Sequence, residues 1–130
     1  MARRKHDRIH PRELQSRFLE VFLAKDLDGL LSLYEDTAVF VSQGGENAVG
    51  TSGVREALAG LLGVAQTFSL TPTFAVEADG VALMHSDWSL EGRDPAGNPL
   101  SLSGTTVEVA RRQKDGSWLY AVDSPFGAAE

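Results

Sequence analysis

The segment LSLSGTTVEVARRQKDGSWLYAVD, residues 100–123, carries the pattern that decides the fold. Apolar residues alternate with polar or small ones on both sides of Asp115-Gly116, a dipeptide that favours a tight turn between strands. The pattern predicts a β-hairpin whose first strand runs from Leu100 to Arg112 and whose second strand runs from Ser117 to Asp123.

The loop length of this hairpin decides which side chains share a face of the sheet. A two-residue turn would pair Lys114 with Ser117, and a four-residue loop would pair Arg112 with Ser117. Either register places Glu108 and Asp123 on the same face, whereas a three-residue loop would move one strand's side chains to the other face. We therefore expect Glu108 and Asp123 to lie on one face.

Both faces of the hairpin carry apolar side chains. The predicted face of Glu108 includes Leu119 and Ala121, and the opposite face includes Trp118, Tyr120 and Val122. An antiparallel sheet with one solvated face would carry mainly polar residues on that face. We therefore expect one face to pack against helices and the other against a second copy of the chain, which gives a homodimer.

Three helices are predicted before the hairpins. Apolar residues at the spacing of one helix face follow Pro11, a residue that suits the first helical turn. Asp26 is expected to cap a second, shorter helix whose apolar repeat reaches Tyr34. Thr51 or Ser52 is expected to cap the third helix.

The remaining sequence predicts strands and turns. Thr37–Val41 is expected to form a short buried strand, and residues 42–50 a glycine-rich loop without a phosphate-binding motif. After residue 66 the apolar period becomes two, with Pro72 indicating an edge strand or a bulge. Asp79-Gly80 is typical of a hairpin turn and precedes a strand over Val81–Leu90. Helices followed by hairpins indicate an α+β fold, with the helices on one face of an antiparallel sheet.

Length and composition exclude several kinds of site. The chain has 130 residues, which is typical of one domain with its own core, and it contains no cysteine. Disulfides, thiol catalysis and metal or iron–sulfur sites ligated by cysteine are therefore excluded.

Charge is distributed unevenly along the chain. Residues 1–12 contain five basic residues and one acidic residue, whereas the rest of the chain contains seven basic and 17 acidic residues. We expect residues 1–11 to form a basic flexible arm and residues 12–127 to form one acidic domain, and an acidic domain does not favour a nucleic-acid partner. The alternative is that the basic arm itself contacts nucleic acid or anionic lipid. No segment has the form of a membrane span or a secretory signal, so we expect a cytoplasmic protein without a membrane partner.

Glu108 and Asp123 are the candidate catalytic residues. Two carboxyl groups close together on a face covered by helices would be desolvated, and each would raise the pKa of the other. Such a pair can act as a general base or as an acid that shares a proton. The alternative is a structural role, in which either carboxylate binds a backbone amide or lies at a solvated rim.

A metal site and a serine nucleophile both lack support. His85 and Asp87 lie two residues apart on one strand face, a spacing compatible with a metal or a proton relay, but the other histidines are in the basic arm and no third ligand follows. We therefore expect no metal. No serine lies in a GxSxG motif.

The order of elements and several segments resemble the nuclear transport factor two-like superfamily, and more narrowly its SnoaL-like and ketosteroid-isomerase-related proteins. The segments are FLEVFLAKDLDGLLSLYEDTAVFV, GTSGVREAL, DWSLEG and RRQKDGSWLYAVDSPFG, and the resemblance covers residues 12–127. It implies a cone, in which a strongly bent antiparallel sheet wraps around the three helices and an apolar pocket opens at the wide end. It also implies dimers that pack through their sheets.

The resemblance assigns roles to individual positions. In the steroid isomerases, a tyrosine on the first helix and an acid on a later strand hold the oxyanion, and an aspartate after the first short strand moves the proton. Phe18 takes the place of that tyrosine and Ser42 that of the aspartate, whereas Glu108 matches the acid. In the related polyketide cyclases an acid of the sheet transfers the proton, which Asp123 or Glu108 could do here.

Together these observations predict a protein that binds a hydrophobic small molecule in the cone. Beside the two carboxylates, the expected lining residues are Phe18, Tyr34, Phe40, Met84 and Trp88. Any chemistry is expected to be proton transfer without a cofactor, as in an isomerase or cyclase, with Tyr34 or Ser42 as hydrogen-bond donor. The alternative is a non-catalytic binding or dimerisation module, which a cavity smaller than about 300 Å³ would favour.

Overall fold

The computed structural model describes residues 10–127, which form three helices and seven strands. The predicted basic arm lies almost wholly outside these residues. The helices are α1 (Pro11–Leu23), α2 (Leu27–Leu31) and α3 (Gly50–Val64). The strands are β1 (Tyr34–Val41), β2 (Asn47–Val49), β3 (Ala65–Ala78), β4 (Val81–Arg93), β5 (Pro99–Thr105), β6 (Val107–Arg112) and β7 (Trp118–Ser124).

The strands form one curled, unclosed sheet around the helices, which confirms the predicted cone-shaped α+β fold. The strand order is β2-β1-β7-β6-β4-β3, and β5 pairs with β4 beyond the end of β6. The sheet is antiparallel except at one place, because β1 and β7 run parallel. That parallel pair brings Tyr34 and Phe40 next to the end of the chain, opposite Tyr120 and Asp123.

The long strand predicted from Leu100 to Arg112 is present as β5 and β6 in a single register. Both strands lie along the same edge of β4, with Trp88 opposite Gly104 and Met84 opposite Glu108. Thr106 lies between them, and its backbone N–H still donates to the carbonyl of Ser86 at 2.8 Å. The interruption therefore does not change which side chains face inward.

The predicted pairing of Glu108 with Asp123 is present in the β6–β7 hairpin, but the loop is not one of the two that were expected to give it. The backbone N–H of Gln113 donates to the carbonyl of Ser117, so the loop has three residues. A bulge follows, because Ala110 pairs with Tyr120 whereas the preceding residue, Val109, pairs with Val122, which leaves one extra residue on β7. The two one-residue offsets cancel, and Glu108 lies directly opposite Asp123.

The prediction of which β7 side chains lie on which sheet face is wrong near the turn. Tyr120 is fully buried and Trp118 is 5% exposed, so both lie on the inner face with Glu108 rather than on the outer face. Leu119 lies on the other face, because side chains alternate along a strand and its neighbours Trp118 and Tyr120 face inward. The reason is that the three-residue loop sets the register near the turn, and the bulge restores the predicted pairing only at Asp123 and its neighbours.

The helix predictions hold, with shifted boundaries. Helix α1 begins at Pro11, and Asp26 caps α2 by accepting a hydrogen bond from the N–H of Gly29 at 2.9 Å. Tyr34 is the first residue of β1 and not part of α2, because α2 ends after five residues. The predicted cap of α3 is wrong, because the helix begins at Gly50, Thr51 and Ser52 lie inside its first turn, and the preceding Val49 makes no side-chain cap hydrogen bond.

The helices and the inner sheet face enclose one hydrophobic core. Its centre includes Phe22 of α1, Leu30 of α2 and Leu58 of α3, all at most 2% exposed. The predicted irregularity at Pro72 is confirmed by a register shift between Pro72 and Phe74. Within residues 10–127 no helix is long and apolar enough to cross a membrane.

Candidate functional site

A small cavity lies between α1 and the inner face of the sheet, with two carboxyl groups in its wall. Its volume is about 30 Å³, which is room for one water molecule or one ligand oxygen. The polar lining consists of Thr106, Glu108 and Asp123. The apolar lining is formed by Phe18, Phe22, Phe40, Leu61, Phe68, Leu70, Trp88, Leu90 and Pro125.

A second, outer cavity of about 200 Å³ adjoins the first. The two cavities share the walls formed by Phe40, Leu61, Trp88 and Pro125. Ser42 of the glycine-rich loop lines the outer cavity. Both volumes are below about 300 Å³, the lower end of the usual range for ligand sites, so cavity size by itself favours the non-catalytic alternative.

The two carboxyl groups face each other across β6 and β7. Glu108 is 4% exposed and Asp123 is 3% exposed. Burial, followed by the charge of Asp123, holds the pKa of Glu108 well above its usual range, although hydrogen bonds from Gln15 and Thr106 lower it in part. Burial raises the pKa of Asp123 to about 6, against a hydrogen bond from Tyr34 that lowers it. Both shifts favour the protonated forms, so the two neighbouring carboxyl groups share protons as a coupled pair.

Tyr34 is the hydrogen-bond donor that stabilises the ionised form of Asp123. Its hydroxyl donates to Oδ2 of Asp123 at 2.5 Å, across the parallel β1–β7 pair. Burial, and then the charge of Asp123, raises the pKa of Tyr34 well above its ordinary value. The phenol thus stays protonated and available as a donor at every physiological pH.

Gln15 of α1 binds the other carboxyl group and was not predicted from the sequence. Its Nε2 lies 3.2 Å from Oε1 of Glu108 and 2.7 Å from Oγ of Ser86. The sequence does contain a signal for it, since Gln15, Phe18 and Phe22 follow the i, i+3, i+7 spacing of the buried face of a helix. A buried glutamine on this apolar stripe is unfavourable unless its side chain has a specific role, so it is a candidate functional residue.

The structure brings most of the predicted lining residues together. Phe18, Phe40 and Trp88 line the inner cavity. Tyr34 reaches it only through its bond to Asp123. Met84 is not in either cavity wall: it is fully buried opposite Glu108 and belongs to the core.

His85 and Asp87 lie outside this site. Nδ1 of His85 is 2.7 Å from the carbonyl oxygen of Thr106, and Asp87 accepts a hydrogen bond from Thr105. Across the described part of the chain, no three histidine, aspartate or glutamate side chains converge in a way that could hold a metal ion.

The curled sheet over helices, with a cavity on its inner face, defines a cone-shaped α+β domain. The family model of the SnoaL-like domain matches residues 16–121. The chain therefore belongs to the SnoaL-like domain family.

Solved structures share this fold at low sequence identity. A ketosteroid isomerase-like protein from Erwinia carotovora atroseptica is 18% identical with a TM-score of 0.77, over 87% of this chain and 89% of that one. A conserved protein from Planctomyces limnophilus is 24% identical with a TM-score of 0.76, over 88% and 91%. A nuclear transport factor 2-like superfamily protein from Salmonella enterica is 17% identical with a TM-score of 0.73, over 91% and 88%. None of the curated proteins compared with this chain matches it.

Proposed function

We propose that the protein binds a small hydrophobic molecule in the cone and transfers a proton on it without a cofactor. The observation that carries the proposal is the pair of buried carboxyl groups, Glu108 and Asp123, in the wall of an apolar cavity. A buried carboxyl pair destabilises a fold unless it is well paired, because each ionised group loses its hydration. Its presence at a cavity is therefore better explained by chemistry than by packing.

The two carboxyl groups suit different steps. Asp123, whose ionised form is stabilised by the hydroxyl of Tyr34, would accept a proton from a carbon atom next to a ligand carbonyl. Glu108 would donate its proton to the carbonyl oxygen, which gives an enol and leaves the pair with the same number of protons. Return of the proton from Asp123 to the same or another carbon, and of the enol proton to Glu108, would complete an exchange or an isomerisation.

The size and charge of the cavities limit the ligand. The inner cavity has room for one oxygen atom, and the outer cavity of about 200 Å³ has room for a single-ring body. No lysine, arginine or histidine lines either cavity among residues 10–127, while two carboxyl groups line the inner one. Both features favour an uncharged cyclic ketone or enone over a phosphate or carboxylate ester.

Hydrogen exchange on a model ketone tests this proposal. The purified protein would be incubated with cyclohexenone in deuterated water, and the loss of the acidic C–H signals would be followed by NMR. We expect the wild-type protein to accelerate the exchange, and Asp123→Asn and Glu108→Gln to lose most of that acceleration. Asp87→Asn, which removes a carboxylate outside the cavity, is the matched control. Wild-type acceleration retained in the double amide variant would contradict the assignment.

The second candidate is a non-catalytic binding or dimerisation module. It is favoured by the small cavities and by apolar side chains exposed on the outer sheet face, at Phe74, Val76, Val81 and Leu83. In the β3–β4 register these residues lie on one face, since Val76 pairs with Leu83. An apolar sheet face of this kind suits the expected homodimer. A dimer that gives no exchange with any cyclic ketone or enone would support this candidate over the first.

A further inference from the structure

The side-chain amide of Gln15 lies within hydrogen-bond distance of several groups at once. Its Nε2 is within hydrogen-bond distance of three acceptors, which are Oε1 of Glu108 at 3.2 Å, Oγ of Ser86 at 2.7 Å and the carbonyl oxygen of His85 at 3.0 Å. An amide nitrogen has two hydrogens, so the three acceptors compete for them. The bond to Glu108 is the longest of the three and can strengthen or weaken with the state of that carboxyl group.

The other end of the same amide has no partner. Oε1 of Gln15 is buried and accepts no hydrogen bond from any described residue. An unsatisfied buried carbonyl oxygen is unfavourable, and a leucine at this position of α1 would avoid it. All partners of the amide are therefore on its donor end, and Glu108 is the one ionisable side chain among them.

We infer that Gln15 is a positioning residue for Glu108: its amide holds Oε1 of Glu108 so that Oε2 carries the acidic proton, and it stabilises the carboxylate when that proton leaves. This inference rests on the proposed function and deepens it. An oxygen that accepts an N–H bond is the carbonyl oxygen of a protonated carboxyl group, which leaves the hydroxyl at the other oxygen. Once the proton is gone, the same bond becomes charge-assisted and stronger.

The groups around Glu108 are otherwise acidic. Asp123 and Tyr120 face it from β7 and Tyr34 from β1, and His85 of β4 reaches the network only through its backbone carbonyl. Burial and the charge of Asp123 raise the pKa of Glu108, whereas the bonds from Gln15 and Thr106 lower it. Gln15 thus keeps Glu108 able to release its proton, which an acid in a catalytic cycle must do.

Carbon-13 NMR of the side-chain carboxyl groups tests the inference in ligand-free protein. Gln15→Met keeps the length of the side chain and removes the donor. We expect it to raise the pKa of Glu108 by about one unit and to move that of Asp123 much less. Ser86→Ala is the comparison, because it removes a competing acceptor of the same amide and should therefore lower the pKa of Glu108 or leave it unchanged, but not raise it. An unchanged pKa of Glu108 in a folded Gln15→Met protein would overturn the inference.

A second measurement needs no substitution. The side-chain amide signals of Gln15 in the wild-type protein should shift with pH at the midpoint of Glu108, since the bond strengthens as Glu108 ionises. Amide signals that do not move through that titration would also overturn the inference. Because neither titration uses a ligand, a failure here is distinct from a failure of the ketone exchange, which tests the proposed function itself.

Discussion

The hydroxyl of Tyr34 donates a 2.5 Å hydrogen bond to Oδ2 of Asp123, and both side chains are buried. Tyr34 opens β1 and Asp123 lies near the end of β7, so the bond joins residues that are 89 positions apart. The donor stabilises the charged form of Asp123 but not that of Glu108. Glu108 has donors of its own in Gln15 and Thr106, so Tyr34 is the side-chain donor specific to Asp123.

Removing this donor is expected to raise the pKa of Asp123 above its value of about 6, because the hydrogen bond from Tyr34 lowers it. The variant is Tyr34→Phe, and the measurement is a carbon-13 NMR titration of the Asp123 carboxyl group. Tyr120→Phe is the control, since the buried Tyr120 hydroxyl has no hydrogen-bond partner among the described residues. Equal pKa values of Asp123 in the two variants would contradict the role of Tyr34.

The free energy of unfolding should depend on the ionisation of Asp123. Its folded pKa of about 6 lies above the ordinary value of 3.8, so the folded state binds the proton more tightly than the unfolded state does. The contribution of protonated Asp123 to the free energy of unfolding is complete below about pH 4 and is lost as the pH rises through 6. The upper bound of this contribution is about 3 kcal/mol. Glu108 adds to the loss in the same direction.

Urea unfolding of the wild-type protein and Asp123→Asn between pH 4 and 8 measures this effect. The asparagine removes the titration of residue 123, so the difference between the two free energies should change between about pH 4 and 6, level off above that range and favour the variant at high pH. Taking the difference cancels the titration of surface carboxylates, which the two proteins share. A difference that stays constant over this range would show that Asp123 is not the group responsible.

Two glycines should respond in opposite ways to alanine. A Cβ atom at Gly92 would lie 1.7 Å from the carbonyl oxygen of Val64, where α3 meets β3, so Gly92→Ala should destabilise the fold by about 3 kcal/mol or more. Gly60 lies in the middle of α3 with open space at its Cβ position, and Gly60→Ala should stabilise the fold by about 0.5–1 kcal/mol. Thermal and urea unfolding of the pair will measure both. Equal effects would contradict the close approach at Gly92.

A charge on the outer sheet face should dissociate the proposed dimer. Leu83 is 40% exposed and pairs with Val76, which is 50% exposed. Leu83→Glu would place a carboxylate in the apolar contact, so we expect the sedimentation coefficient to fall to that of a monomer. Gln66→Glu, at the opposite end of β3, adds the same charge away from the contact and should leave the dimer intact. A wild-type protein that sediments as a monomer would remove the basis of this prediction.

Local patterns made much of the fold predictable. The apolar stripe after Pro11, the cap at Asp26 and the turn at Asp79-Gly80 each depend on residues within a few positions of one another. Asp79 and Gly80 both have positive φ angles of 53° and 81°, as a tight hairpin turn requires. Such features form from short-range sterics and hydrogen bonds, and the sequence states them directly.

The candidate site was predictable only in part. The alternation of side chains along the strands predicted that Glu108 and Asp123 share a face. They do, but only because a bulge compensates for a three-residue loop. The prediction that Tyr34 belongs to α2 was wrong, because the apolar period of α2 continues past the residue at which the helix ends. Gln15 has a polar side chain that no spacing rule links to a strand 93 residues away.

The sequence by itself determined an α+β domain without cysteine, with three helices before the hairpins, whereas the shared face of Glu108 and Asp123 depends on a bulge that only the structure shows. Only the tertiary structure decided that these acids are buried, that Tyr34 binds one and Gln15 the other, and that their cavity is small. The physical reason is distance. Secondary structure and face alternation follow from neighbouring residues, whereas the pKa values of the pair follow from desolvation and from donors that packing brings from α1 and β1.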